Sequence, residues 1–421
     1  MVRFYTANAR CDVSRLSKEE HPVIDTVWFL FFLLTYIGPV IFPYTHYVIT
    51  AALLVGTWYR NNWHISVERG MAPILYWYTA VTAWVFLSLI WSPYRTNGQK
   101  TVLIGTIETA VMIVCLLDYI RSRTEIIRIM ELYICATAVF AFLYYALSPI
   151  GTWGTTKMGV WSTIWRNSAG YYFIFAALFA FFLALYDKAH LTSSLAAGGL
   201  LAIAGIGTGS RKAVAQLLLA VGLYSLFQVD RRKRIRAVCV IVLGSVLIYF
   251  GSFFIPYLNA LMEKYVFNIL RGVDATDAST TFRAYMRQFA IELFRKHPII
   301  GYGVEGYKEW VRTSHADALR RYAMQATYSH CNYTEMLANF GLIGFFVYYA
   351  YPVSILLRPI HKYRSFAQVC GIVTTALFLI LDYGAISYYM KLYICIAVIG
   401  MSAILWDELH PSPLHTSIEF E

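Results

Sequence analysis

Twelve apolar runs recur along this chain, each approaching the roughly 20 residues a helix needs to cross about 30 Å of hydrocarbon. They cover residues 26–42, 44–58, 73–91, 101–118, 129–148, 168–186, 192–207, 212–229, 237–257, 338–357, 367–381 and 388–406. In lipid, every backbone N–H and C=O has to be satisfied within the protein, so runs of this kind build helices that span together as a bundle. Charged residues make up only 14% of the 421, against about a quarter in soluble domains. The expected fold class is therefore an all-α polytopic membrane protein of about 12 transmembrane helices. The seventh run is rich in glycine (Gly198, Gly199, Gly205, Gly207), which suits either a re-entrant segment or close helix packing.

Charge sets the expected orientation. Residues 1–22 are polar and carry Arg3, Arg10, Arg15 and Lys18 ahead of the first run, which is not the pattern of a cleavable leader. With both termini in the cytoplasm, the densest basic clusters, 121–128, 231–236 and 358–364, all fall on the cytoplasmic side, as the positive-inside bias requires. The net charge of +11 is thus assigned to orientation and to anionic lipid headgroups rather than to nucleic acid. Trp58, Tyr59, Trp91, Trp161, Trp165, Tyr348 and Tyr349 are expected as interfacial anchors, with sugar-ring platforms as the alternative for the outer ones. The seven cysteines show no metal-ligand or redox spacing, and packing is their expected role.

One connector is long. The domain layout is a cytoplasmic tail (1–25), nine spans (26–257), an extracytoplasmic loop (258–337), three spans (338–406) and a cytoplasmic tail (407–421). Phe282, Tyr285, Phe289 and Leu293 recur at helical spacing until His297-Pro298 ends the helix, and a second helical stretch is expected over 306–325. Two amphipathic helices between spans make a cap.

Several polar residues stand out. Arg283 and Arg287 lie four apart on one helix face, where two guanidinium groups suit a diphosphate, although a solvated or headgroup-contacting face is the plainer account. His330 sits just above the tenth span, placed as a general base or as an ordinary hydrogen-bonded histidine. Arg211, next to Lys212, and Arg166 are cations on the outer side, against the positive-inside bias, unless they simply snorkel. Glu108 and Lys391 are ionisable residues inside spans, functional by default or paired structurally. No HExxH, DxD, phosphate-loop or dinucleotide pattern is present.

Three segments together resemble the bacterial O-antigen ligase and the O-antigen and capsule repeat-unit polymerase superfamily: Gly209-Ser210-Arg211, Thr281-Phe282-Arg283 leading to His297-Pro298-Ile299-Ile300-Gly301-Tyr302-Gly303, and Ser329-His330-Cys331-Asn332-Tyr333-Thr334-Glu335 leading to Gly341-Leu342-Ile343-Gly344. The resemblance covers roughly 160–350. It implies a multi-pass protein of the bacterial cytoplasmic membrane, surrounded by membrane lipids and working beside other polysaccharide-assembly proteins. The implied donor is an oligosaccharide on undecaprenyl diphosphate, used at the outer leaflet with a sugar acceptor and no cofactor. Arg211 and Arg283, with Arg287 and Arg166, would bind the diphosphate, and His330 would be the catalytic base. Lys212, Tyr302, Asn332, Tyr333, Glu335 and Lys391 are candidates to line the same cavity. The family often carries Asn directly after the histidine; here Cys331 holds that position and Asn332 follows. The expected activity is a polymerase of capsule, exopolysaccharide or O-antigen units. A ligase differs only in acceptor, and a flippase of lipid-linked glycan is the alternative from another class, though no internal repeat of the transporter kind is visible.

Overall fold

A computed structural model describes residues 2–5, 22–93, 96–153, 166–186, 191–227, 278–321, 325–358 and 366–410, with 232, 235 and 239 singly. Along them run β1 (Val2–Tyr5), α1 (Pro22–Ile41), α2 (Thr45–Arg60), β2 (Ile65–Glu68), α3 (Ala72–Leu87), α4 (Asn97–Tyr119), α5 (Arg123–Ala146) and α6 (Arg166–Tyr186). Then come α7 (Leu191–Gly207), α8 (Arg211–Phe227), α9 (Ala278–Lys296), α10 (Gly306–Ser314), α11 (Ala316–Arg321), α12 (Asn332–Leu356), α13 (Phe366–Leu381) and α14 (Lys391–Leu409). A helix lies over every expected run except 237–257, which falls outside the described residues. Trp161, Trp165, loop residues 258–277, and most of 231–236 and 358–364 also fall outside them.

Six helices (α1, α4, α5, α6, α12 and α14) are long and apolar enough to cross a membrane, and α3, α7, α8 and α13 are shorter apolar helices. The chain is a multi-pass helical membrane protein. At its centre stands α14, whose residues from Leu392 to Leu405 are all buried, as befits a helix that is apolar all round. Around it pack α4, α5 and α13, while α6 lies between α5, α7 and α8. The glycine-rich α7 is a continuous helix. Its Gly198 and Gly205 face Phe181 and Ile174 of α6, so close packing, not re-entry, explains them.

Connector contacts gather at two ends of the bundle. At one end Arg60 pairs with Glu125 at 2.6 Å and Arg128 with Asp25 at 2.9 Å. The buried Asp118 there accepts from the Ser66 amide at 2.6 Å and the Asn61 side chain at 2.5 Å. The expected basic cluster at 121–128 is therefore partly neutralised. At this end β1 pairs in parallel with β2, Val2 opposite Ile65 and Tyr5 opposite Glu68, an addition to the all-helical expectation. Four residues are too short a run for alternation to register in the sequence.

At the other end the loop helices sit on α12, which begins at Asn332 rather than near 338 and breaks at Gly341 (φ +65°). The break frees backbone groups that hydrocarbon would leave unsatisfied. The segment 297–303 supplies them. The amides of Leu342 and Ile343 donate to the Pro298 and Ile299 carbonyls at 2.9 and 3.1 Å, while those of Tyr302 and Gly303 donate to Ala338 and Asn339 at 2.9 and 2.7 Å. Two glycines let the backbones pass: a Cβ on Gly341 would lie 2.3 Å from the Ile299 oxygen, and one on Gly301 (φ +70°) 2.4 Å from the Asn339 carbonyl carbon. The segment is held from α3 and α4 as well, by Ser88 to the Val304 amide at 3.1 Å and Gln99 to the Val304 carbonyl at 3.0 Å.

Two interfacial expectations change. Tyr348 and Tyr349 are buried and bond Ser387 at 2.7 Å and Asp382 at 2.8 Å, so they are internal ties, whereas Tyr59 is exposed. Cys115, Cys331, Cys370 and Cys395 are buried free thiols.

The interlock makes a test. Gly341→Ala meets both a left-handed backbone, costing about 1–3 kcal/mol, and overpacking of similar size. In detergent its unfolding midpoint should fall clearly below wild type. Gly199→Ala, in open helical surroundings with nothing within 4 Å of the added Cβ, should gain up to about 1 kcal/mol. Equal midpoints for the two variants would remove the interlock from the stability of the fold.

Candidate functional site

The site is assembled from α9, the turn before α12, the start of α8 and the strap 382–390 between α13 and α14. On α9 the residues facing inward are Phe282, Met286, Phe289, Ala290 and Leu293, packed on Tyr307, Trp310, Val311 and Leu319 of the following helices and on Ala338. Tyr285, read from the sequence as part of that stripe, is 37% exposed; Met286 takes its place, one position on, because 3.6 residues make a turn. The expected second helix over 306–325 is divided at His315 into α10 and α11, and His315 stacks on Phe289 at 3.9 Å. With the apolar face buried, Arg283 and Arg287 emerge on the flank of α9, both half-buried.

His330 stands in the left-handed region at φ +60°. Its neighbours fix the turn. Glu335 accepts from the Ser329 amide at 2.6 Å, and the Ser329 hydroxyl donates to the Cys331 carbonyl at 2.8 Å. The imidazole lies 4.3 Å from the Tyr328 ring and 6.4 Å from Phe282, centroid to centroid. Burial, then Arg283, then Lys212 and Arg287, push its pKa down to about 3, so the ring is neutral at pH 7. Among the described residues no carboxylate is hydrogen-bonded to it.

The strap draws the cations together from separate helices. The Lys212 ammonium, on α8, donates to the Gly384 carbonyl, and the Arg287 guanidinium lies 5.2 Å over the ring of Tyr383. Lys212 is also within electrostatic reach of Arg283. Arg211 opens α8 beside Lys212; its side chain lies outside the described set. Arg166, at the start of α6, adjoins Asn167, which accepts from Ser210 at 2.8 Å. The charge of Arg166 acts on the Tyr144 hydroxyl of α5 and is not among those acting on His330.

The remaining sequence candidates are engaged within the bundle, with backbone or with other side chains. Asn332 is fully buried; its side chain donates to Tyr349 at 2.8 Å and Asp382 at 3.2 Å and accepts from the Ser387 amide at 3.1 Å. Tyr333 donates to the Leu379 carbonyl at 2.5 Å. Glu335, besides Ser329, accepts from Asn339 at 3.1 Å. Tyr302 belongs to the interlock, its ring 4.8 Å from His297. Lys391 pairs with Glu108 at 2.7 Å, and Glu108 also bonds His46 at 2.7 Å. This is the paired arrangement that makes two ionisable residues tolerable inside a bundle.

Sequence reasoning passed over Asp382 and Tyr383. Asp382 is buried, one carboxylate oxygen taking Tyr349 and Asn332 and the other without a hydrogen-bond partner among the described residues, and burial pushes its pKa up to about 7. Its carbonyl also accepts the Asn332 amide at 2.8 Å, so it ties the strap to the start of α12. A lone carboxylate directly after the apolar run 367–381 was the available signal. Tyr383 had none, being one tyrosine among 33.

Together these residues set Arg283, Arg287 and Lys212 near a neutral imidazole. Comparison with curated proteins returns no match. A family model does match: residues 196–349 fit the family described as O-antigen ligase, a stretch that contains Lys212, Arg283, Arg287, His330 and both halves of the interlock. The three segments singled out in the sequence all lie inside it, and the match, which spans somewhat over a third of the chain, supports an assignment to the O-antigen ligase and polymerase superfamily.

Proposed function

We propose that this protein joins oligosaccharide repeat units carried on undecaprenyl diphosphate, at the outer leaflet of a bacterial cytoplasmic membrane, by a glycosyl transfer that uses no metal. The observation that carries the proposal is a cluster at the turn of His330: Lys212 and Arg287 are held on neighbouring strap residues, Gly384 and Tyr383, and Arg283 follows Phe282, whose ring lies 6.4 Å from the imidazole. The cations take the donor's diphosphate, with Arg211 as a further ligand. Guanidinium groups suit this because they stay charged and offer planar pairs of donors to phosphate oxygens.

The acceptor hydroxyl attacks the anomeric carbon of the donor. His330 removes its proton as the new C–O bond forms, while the bond from the anomeric carbon to phosphate breaks and its electrons leave with undecaprenyl diphosphate. Preorganised positive charge stabilises what develops on that leaving group. The diphosphate ester supplies the driving force, so no nucleotide enters the step. A ligase reading has its own support, since the matching family is described as O-antigen ligase; donor chemistry is common to both, and only the acceptor differs.

Three outcomes follow. Incubated with a lipid-linked repeat unit, the purified protein should yield a ladder of products separated by the unit's mass; a single transferred unit on another acceptor would establish the ligase instead. His330→Ala should insert normally, yet lose about 10²- to 10⁴-fold in rate and leave single lipid-linked units in cells. Wild-type chain length in that variant would remove His330 from the chemistry. Arg283→Ala should cost about 10²-fold in donor use, and Arg287→Ala less, because Arg287 is partly engaged by Tyr383. Wild-type rates for both variants would discard the clamp.

A further inference from the structure

A general base works best with a pKa near the operating pH, and the surroundings of His330 hold it far below that. The charged groups gathered at its turn are cations: Lys212 of α8 donates to the Gly384 carbonyl, Arg287 of α9 lies 5.2 Å over the adjoining Tyr383, and Arg283 follows Phe282, whose ring is 6.4 Å from the imidazole, and all three act on the ring. The other ionisable groups near it do not offset them. Tyr328, on its own turn, is a phenol whose burial raises its pKa. Cys331 is a buried thiol. Tyr383, from the strap, faces Arg287. Glu335 spends both oxygens on Ser329 and Asn339, and Asp382 bonds Tyr349 and Asn332. Catalytic histidines of the triad kind have a carboxylate that orients the ring and stabilises the imidazolium; here no such partner exists among the described residues.

We propose that the bound donor itself completes the base: its diphosphate cancels the three cations facing His330, so that an acceptor hydroxyl is deprotonated only in a site already holding donor. The inference rests on the function proposed above and adds an order to it. Without donor, the imidazole faces only positive charge and takes no proton from sugar or water. With donor, the phosphates supply the negative charge that a carboxylate supplies elsewhere. After transfer, the proton on His330 faces the departing undecaprenyl diphosphate and is later lost to water, so charge balances at each step.

Linkage gives the sign. An anion that raises the folded-state pKa of His330 binds more tightly as pH falls through that pKa, by the same factor. One opposite charge within about 4–6 Å moves a pKa by about one to three pH units, which corresponds to about 10- to 1000-fold in affinity.

The test uses the full-length protein in nanodiscs with ¹³C-labelled histidine, the His330 signal being assigned by its loss in His330→Gln. Inorganic pyrophosphate serves as the probe, its binding followed separately by ³¹P NMR. The titration midpoint of His330 should rise by about one to three pH units when pyrophosphate is bound. Lys212→Met should raise the midpoint without pyrophosphate. Pyrophosphate that binds and leaves the midpoint unmoved overturns the inference while the anion site stands. Failure of pyrophosphate to bind at all overturns the anion site, and the inference with it.

Discussion

The crossing of segment 297–303 through the break in α12 is the constraint on which the site depends. A helix broken inside a membrane protein exposes amides and carbonyls to a medium that offers them nothing. Here a stretch of loop meets two of each, with the Pro298 and Ile299 carbonyls taking the amides that follow the break and the Tyr302 and Gly303 amides serving the carbonyls that precede it. The approach is so close that Gly301 and Gly341 each occupy space a side chain would need. It fixes the end of α9 against the first turns of α12, and thereby fixes Arg283 and Arg287 relative to His330. A loop helix and a bundle helix become one rigid unit.

The second tie is the strap between α13 and α14. Its residues 382, 383, 384 and 387 engage Asn332, Arg287, Lys212 and Asn332 again. Thus one short connector touches the turn that bears the imidazole and two of the three cations. Repulsion among three like charges is held in place by hydrogen bonds and packing elsewhere, and such stored electrostatic cost is typical of sites built to receive charge. The same surroundings that favour an anion disfavour a protonated histidine, so anion binding and imidazole basicity are physically coupled.

Much of the architecture was legible because hydrophobic length is a strong signal: every run that falls within the described residues carries a helix. Arg283, Arg287 and His330 were legible as polar groups at helical spacing or at a span boundary. What escaped was tertiary. The early start of α12 at Asn332 goes with the Asp382 carbonyl of the strap, which accepts that residue's amide, and the break at Gly341 with a partner segment some forty residues earlier. Tyr348 and Tyr349 looked like interfacial anchors, yet Ser387 and Asp382 turn them inward. Asn332, Tyr333 and Glu335 sit within a motif that pointed to chemistry, while their side chains bond backbone and strap. Only a carboxylate at the end of an apolar run, Asp382, offered a local clue that went unused.

The most direct measurement is a structure of the protein with a lipid-linked oligosaccharide bound. The account predicts phosphate oxygens within hydrogen-bonding distance, about 2.7–3.2 Å, of Arg283 and of at least one of Arg287 and Lys212, with the His330 ring turned toward the anomeric carbon. Diphosphate density seated away from these side chains, or on the opposite face of the bundle from His330, would contradict it.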